Sequence, residues 1–535
     1  MRLSFSKFIV AGACVATALG AAADVYADDR PDLVVAVSKL ARSLDPGRHM
    51  GKVDVRIYYS VYDTLLQRDF RNPPKVGIKI RPGLAKSWKR IDGKTLEVSL
   101  RKGVTCHDGS PFNADDVLFT FDRRRLWDKK KSYYPRGRVY FSHLEKVKKV
   151  DDYTVRFVTK APDPILESRF TSYGSFIVCD EPWQTFNKGG KKFKKWMSEA
   201  AKKLRWKAFG TGPYMVVSQR KNNFIKFKAN DSYWGGKPAA KTLTFKAVPE
   251  VAGRVAGVVS GDFHMGVDIP QDQLSIIDRY KDVKRKDVIL DNSHVIVFNQ
   301  KDPVLSNKKL RQALSYAIDR ESLRKALWDN RNYTPNGHQL TTYGEIYNPD
   351  RKGYVYDPKK AKRLVKESGY KGQEISFRLI AQYYLSNKEA AQVIQEMWRK
   401  VGINVKLDFV ESWKHIRGSG SQIHFWANTY RLPDPTGSII VNWGPNSPIQ
   451  RKFKFFNPPK EFNSIANDLF KIGDLKVRKV KFQRMLDIFE DEMPTTILYN
   501  PVVTFIMNKN VNWTPYSLYF MDFRPDNFKW GAKPG

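Results

Sequence analysis

Between Asn307 and Val410 the chain alternates long helical stretches with short extended ones. "NKKLRQALSYAIDRESLRKAL", "DPKKAKRLVKESG" and "SNKEAAQVIQEMWRKVG" each open with Asp or Asn at or beside the first position. Such side chains accept from the unpaired N–H groups of a first helical turn. The latter two end in Gly, the residue that most readily takes the left-handed conformation closing a helix. The third runs directly into "INVKLDFV", whose alternation reads as a strand. Helix-then-strand units therefore dominate the second half. In the first of them Leu310, Leu314, Ala317 and Ile318 share one face and mark a packing helix, while Arg311, Ser315 and Arg320 fall elsewhere.

The first half reads differently. "DLVVAV", "TLEVSLR", "DDYTVRFVTK" and "KTLTFKAV" are strand patterns, "YMVVSQRKNNFIKFKAN" is a hairpin about a polar turn, and "NADDVLFTFDRRRL" is a helix capped by Asn113 with Asp115 and Asp116 at its positive end. At 535 residues the chain has room for about three units at ~150 residues each. Neither an internal repeat nor a low-complexity linker interrupts it, so a mixed α/β architecture with more than one lobe is expected.

Residues 1–27 read as a secretion signal: Arg2 and Lys7, an apolar run from Phe8 to Ala23, then small residues before cleavage sites at Ala23 or Ala27, of which Ala27 leaves the better mature start. Cys14 is not expected to be lipidated, because "AGA" before it lacks the usual Leu. No later segment offers the ~20 apolar residues of a membrane span. An exported protein is expected, and in an oxidising compartment Cys106 and Cys179 either pair or remain buried thiols.

The formal charge is +38, and loss of Arg2, Lys7 and Asp24 with the leader barely changes it. Such a field suits nucleic acid, anionic lipid or an anionic solute. Basic runs at 122–149 and 188–207 carry interleaved aromatics, as single-strand binders do. The remaining charge is spread along the whole chain, so solvated basic faces are expected and no nucleic-acid partner. Catalytic, metal and cofactor signatures are missing. "FGTGPY" lacks the Lys and helix start of a phosphate loop, His107-Asp108 belongs to a turn, and there is no G-x-S-x-G. The eight His show no metal-ligand spacing.

In this order, "SLDPGRHM", "RPGLAKSW", "LEVSLRKGVTCHDGSPFNADDVLFTFDR", "FGTGPYMVV", "NDSYWGGKPAAKTLTFKAV", "LRQALSYAIDRESL", "YDPKKAKRLVKESGY" and "VGINVKL" resemble the phrases of family 5 solute-binding proteins, the peptide, dipeptide and nickel-type group that supplies ABC importers. The likeness runs over nearly the whole mature chain. It implies an α/β, bilobed, periplasmic-binding-protein-like fold with an extra subdomain inserted in the first lobe. On this chain that means lobe I at 28–294 with the insertion at about 62–204, lobe II at 295–503, and a return to lobe I at 504–535. Crossings are expected near Val295–Gln300 and Leu498–Thr504. It further implies a periplasmic monomer that captures a small molecule or peptide by hinge closure. Its partners would be the permease's transmembrane subunits and a separate ATPase subunit.

Peptide-binding members of that family usually carry Trp, then Asp three residues on, then Asp/Glu-Pro. The first Asp meets the peptide's ammonium, a charge that costs several kcal/mol to bury alone. Here the segment is "FWANTYRLPDPTGS". Counting from Trp426 places Thr429 at the anchor, and counting back from Asp434-Pro435 places Arg431 there. Neither is acidic. Arg431 would favour a carboxylate or phosphate through forked hydrogen bonds, which points to an anionic or neutral polar ligand such as an opine-like compound, a sugar derivative or an organic acid. Alternatively Arg431 faces solvent and Asp434 or Asp63 supplies the acid. Further candidates are Tyr62 beside Asp63 in "VYDTLL", Tyr133, Tyr134, Tyr383, Tyr384, and Trp426 as a stacking face. A nickel-type chelate carrier and an exported hydrolase are the alternative functions.

Overall fold

The computed structural model describes residues 28–128, 131–381 and 383–531. The expected leader and Cys14 lie outside the described residues. Three sheets organise the rest. The first has seven strands in the order Val283–Ile289, Val502–Asn508, Met265–Val267, Asp32–Val37, Thr242–Ala247, Phe224–Ala229 and Tyr214–Arg220. Its strand Asp32–Val37 runs parallel to both neighbours, while the hairpin 214–229 is antiparallel.

The second sheet has five strands, Val405–Phe409, Ile375–Leu379, Ile423–Thr429, Asn292–Phe298 and Thr495–Tyr499. The first three are mutually parallel, and each pairing needs a crossover long enough to hold a helix. The unit of helix Asn387–Lys400 and strand Val405–Phe409 is one such crossover, and helix Pro358–Glu367 leads into the first of the three strands. Helix Pro358–Glu367 is capped by Asp357, which accepts from Lys360 N at 2.8 Å. Helix Asn387–Lys400 leads to Val405–Phe409 through Gly402, whose φ of +86° a side chain would oppose. The stretch 307–327 forms two helices, Lys308–Tyr316 and Arg320–Trp328, because Asp319 stops one and caps the other through Ser322 N.

Strand Asn292–Phe298 is buried along its whole length, with Ile296 and Phe298 in one core and Val295 and Val297 in the other. The period of two thus feeds two cores, one on each face of the sheet. Helices 308–328 and 387–400 cover one face, and the 439–443, 460–468 and 475–492 helices the other. Arg311, Ser315 and Arg320 are buried, contrary to their place off the apolar face. The Arg311 guanidinium donates to the carbonyls of Leu305, Ser306 and Glu492, and Arg320 to those of Ile497, Ser315 and Ile318.

The third sheet is antiparallel, in the order Ala85–Arg90, Thr95–Leu100, Thr154–Thr159 and Leu144–Asp151. It lies within the stretch 62–204, yet its apolar face joins one continuous core with the seven-stranded sheet. Helix Ala114–Thr120 packs on it, with Asn113 accepting from Asp115 N and Asp116 closing a capping box. Cys106 and Cys179 form a disulfide beside that helix.

The chain passes from the seven-stranded to the five-stranded sheet between Ile289 and Asn292, ahead of the Val295–Gln300 expected from the sequence, and returns between Tyr499 and Val502. The two connecting segments touch: Leu290 N donates to Pro501 O at 3.0 Å.

Candidate ligand-binding site between the lobes

Strands Asn292–Phe298 and Ile423–Thr429 pair with Asn292 opposite Thr429, so the last residues of one and the first of the other sit at the lobe junction. Tyr519, from the returning C-terminal segment, faces them: Asn292 Nδ2 donates to its hydroxyl at 3.1 Å, and Tyr519 N donates to Tyr173 OH at 3.5 Å. On the same side of the molecule Lys52 Nζ of the first lobe donates to Tyr383 O of the second at 3.4 Å. Burial pulls the Lys52 ammonium down from its ordinary pKa, with Asp268 opposing. Burial also tends to raise Asp268, but Arg56 at 3.1 Å and Lys52 outweigh it and hold the carboxyl at about 2.

The expected ligand residues separate into two groups. Trp426, partly buried in strand 423–429, packs edge-on to Trp443 at 5.8 Å. Thr429 and Arg431 are partly buried at the junction. Arg431 donates from Nη1 to Asn442 Oδ1 at 3.3 Å, and its charge tempers the burial that lifts the Tyr140 hydroxyl to about 12. Tyr140 and Tyr173 both belong to the first lobe and both feel that charge. Tyr383 is exposed and Tyr384 partly buried, and both rings stack edge-on against Trp413 at 5.4 and 6.4 Å. Tyr384 also meets Phe425 and His294. His294 is buried, which holds its imidazole neutral with a pKa of about 3.

The others are structural. Tyr62 is 2% exposed and donates to Leu44 O at 2.8 Å inside the first-lobe core. Asp63, fully buried, accepts from Thr211 Oγ1, Tyr233 OH and Trp234 Nε1 at 2.9–3.0 Å, with Arg524 3.6 Å away. Tyr134 is buried, bonds Asp45 and lies against Gly47, where even a Cβ would collide with its ring. Tyr133 is packed against the same core and stacks edge-on with Tyr134. Asp434, 1% exposed, caps the turn Pro435–Gly437 through Thr436 N and pairs with Arg478. Tyr62, Asp63, Tyr134 and Asp434, expected at the ligand, each make polar contacts inside a lobe. Sequence patterns missed Lys52, Asn292, Tyr173 and Tyr519, which come to the junction from four separate segments and share no motif.

Residues 79–449 match the model for bacterial extracellular solute-binding proteins, family 5. The chain belongs to this family. The dipeptide-binding protein of Escherichia coli K12 is 31% identical over 466 residues, covering 82% of this chain and 84% of its own. Among solved structures, the periplasmic binding protein DppA of Helicobacter pylori in complex with peptide STSA superposes with a TM-score of 0.78 at 21% identity, covering 94% and 99% of the two chains. NikZ of Campylobacter jejuni in complex with Ni(L-His) gives 0.75 at 20%, covering 90% and 94%. The fold is thus the bilobed α/β arrangement of periplasmic binding proteins, and the family is one of bacterial extracellular solute-binding proteins. No helix among the described residues is long and apolar enough to cross a membrane.

Proposed function

We propose that this family 5 protein is an exported, monomeric receptor that closes its two lobes on a small anionic or strongly polar solute and hands it to a permease driven by a separate ATPase. The observation that carries the ligand class is the fate of the acids near the anchor. Asp434 is committed to Arg478 and Asp63 to four internal partners, leaving Thr429 and Arg431 where an ammonium would need a carboxylate. Lys52, whose side chain spans the junction, adds positive charge to the same region. A free peptide amine would be desolvated there without an acid partner, at a cost of several kcal/mol. Names of relatives support the broader peptide-type reading, since the E. coli protein is a dipeptide-binding protein and the H. pylori structure holds a peptide. The NikZ complex keeps a metal-chelate carrier as the second reading, a chelate whose carboxylates would suit the same cations.

The test is mass spectrometry of small molecules released on denaturing protein purified from its own export compartment. A stoichiometric acidic solute is expected, bound roughly ten-fold more weakly by Arg431→Ala, the worth of a lost charge-assisted hydrogen bond. A stoichiometric peptide with a free amine, or an Arg431→Ala affinity within two-fold of wild type, would refute the reading.

A further inference from the structure

Arg417 follows the short helix Trp413–Ile416 in the second lobe. Its guanidinium carbon stands 5.1 Å from the ring centroids of Trp413, Trp426 and Phe453. Three aromatic faces thus hold one cation, and one of them is the Trp426 already placed at the candidate site. The cage reaches the lobe junction through Trp413, which touches Tyr383 at 5.4 Å, whose carbonyl in turn accepts from Lys52 of the opposite lobe.

What distinguishes Arg417 is its lack of an acceptor. Its Nε is buried without a hydrogen-bond partner, and among the described residues no carboxylate pairs with the group. Arg417 is partly buried, and other arginines also keep an unpaired nitrogen, among them Arg125, Arg254 and Arg478, yet each of these has another nitrogen bonded, to Thr120 O, to Val248 O and to Asp434. Burial lowers the pKa of the Arg417 guanidinium, with only the tyrosine hydroxyls of 383 and 384 opposing. Aromatic faces attract a cation but accept no directed hydrogen bond, so the buried Nε–H remains to be matched. A planar oxyanion presents the geometry that such a fork pairs with.

We infer that Arg417 is a second anion-reading position of this cleft, receiving a carboxylate of the solute while Trp413 and Trp426 hold the flat or apolar part next to it. This rests on the anionic-ligand reading given above and deepens it: the solute class becomes a carboxylate joined to an apolar or aromatic body. An Arg at 417 is needed for the fork, and Lys would supply charge without it.

The test has two arms. In the first, a small-molecule extract of the source cells is split by anion exchange, and each fraction is scored by the shift in melting temperature of purified protein, since a ligand selective for the native state stabilises it. The retained fraction is expected to raise the wild-type midpoint by several degrees, to lose that effect on Arg417→Gln, and to keep part of it on Arg417→Lys. If the retained fraction shifts Arg417→Gln as it shifts wild type, the Arg417 assignment is wrong while the anionic reading stands. If the unretained fraction alone shifts wild type, both fail.

The second arm needs no ligand. A caged charge kept for binding burdens the empty fold, whereas a charge kept for packing supports it. Arg417→Met is expected to leave the ligand-free midpoint unchanged or raise it. A fall of more than about 4 °C, a shift of the size that a loss near 1 to 2 kcal/mol brings to a large domain, would make the cage structural and overturn the proposal. Where neither extract fraction moves wild type, this comparison decides alone.

Discussion

Asp116 shows how one residue's position sets a property of the whole fold. It is 3% exposed, and its two oxygens accept from Asn113 N and Asp180 N, each at 2.9 Å. Burial raises its carboxyl to about 7 despite those hydrogen bonds, and neighbouring Asp180 adds to the rise. A folded-state pKa above the unfolded value means that the native state holds the proton more tightly. Its stabilising effect is therefore complete below about pH 4 and lost as pH rises through about 7. Replacing Asp116 by Asn removes this titration while costing one acceptor at every pH. Urea midpoints from pH 4 to 8 should fall for wild type relative to Asp116→Asn by the equivalent of roughly 2 to 4 kcal/mol. Parallel curves for the two proteins would show that the carboxyl is ionised throughout. The capping role of this stretch was readable from "NADDV", because a cap is a local spacing. The burial of Asp116 was not, since it depends on the chain near Asp180 folding back over the helix. Arg311 and Arg320 teach the same point: helical periodicity sorts apolar from polar, and cannot foresee that the turn at 305–306, the helix end at Glu492 and strand Thr495–Tyr499 aim carbonyls at a guanidinium.

At the scale of elements, the disulfide is the firmest tie in the four-stranded unit. Cys106 and Cys179 are 73 residues apart, and the bond fastens the turn before helix Ala114–Thr120 to the segment leading into helix Glu181–Gln184. Cross-linking so long a loop restricts the unfolded chain. The double variant Cys106→Ala, Cys179→Ala should lose about 2 to 4 kcal/mol, measured by urea unfolding against the oxidised wild type. An unchanged midpoint would mean that the shared core alone holds the unit closed. Sequence left the pairing open because spacing says nothing about Cα separation, which is 6.2 Å here. The strands and capped helices of the second half were legible from alternation and end signals. The first crossing was misplaced by a few residues for a physical reason. Strand Asn292–Phe298 begins with Asn292, Ser293 and His294, polar residues that are buried with partners from other segments: Asn292 with Tyr519, Ser293 with Tyr430 and Asn500, His294 with Phe425 and Tyr499. An apolar run starting at Val295 therefore marks only the strand's core-facing part. Trp426, Thr429 and Arg431 could be grouped from the sequence because they share one segment. Arg417 was hidden because its cage comes from residues 413, 426 and 453.

At the scale of the molecule, two segments carry every covalent link between the lobes, so closure is governed by what grips them. Asp291 lies in the first crossing. Its N donates to Ser517 O of the first lobe at 2.7 Å, and its carbonyl accepts from Tyr430 N of the second at 3.0 Å. Its carboxylate binds Arg68 Nη1 at 2.7 Å, with both side chains largely buried at 9% and 13% exposure. Arg331 of the second lobe reaches Asp287 of the first at 2.5 Å, just before the same crossing. These pairs bias the arrangement in which the lobes touch, the arrangement that the proposed capture of solute between the lobes requires. Removing Arg68 leaves Asp291 without its partner, a penalty the chain can relieve by opening the junction to water. Arg68→Gln should therefore enlarge the radius of gyration of the empty protein in X-ray scattering and weaken solute binding by up to about ten-fold, as expected when the competent state loses population. With solute at saturation the variant's radius should return to the wild-type value, because ligand contacts outweigh the lost pair. Equal radii and equal affinities for variant and wild type would place control of closure in the solute contacts themselves. An enlarged radius that persists at saturation would instead mean that Arg68 holds the first lobe together and does not act on the hinge.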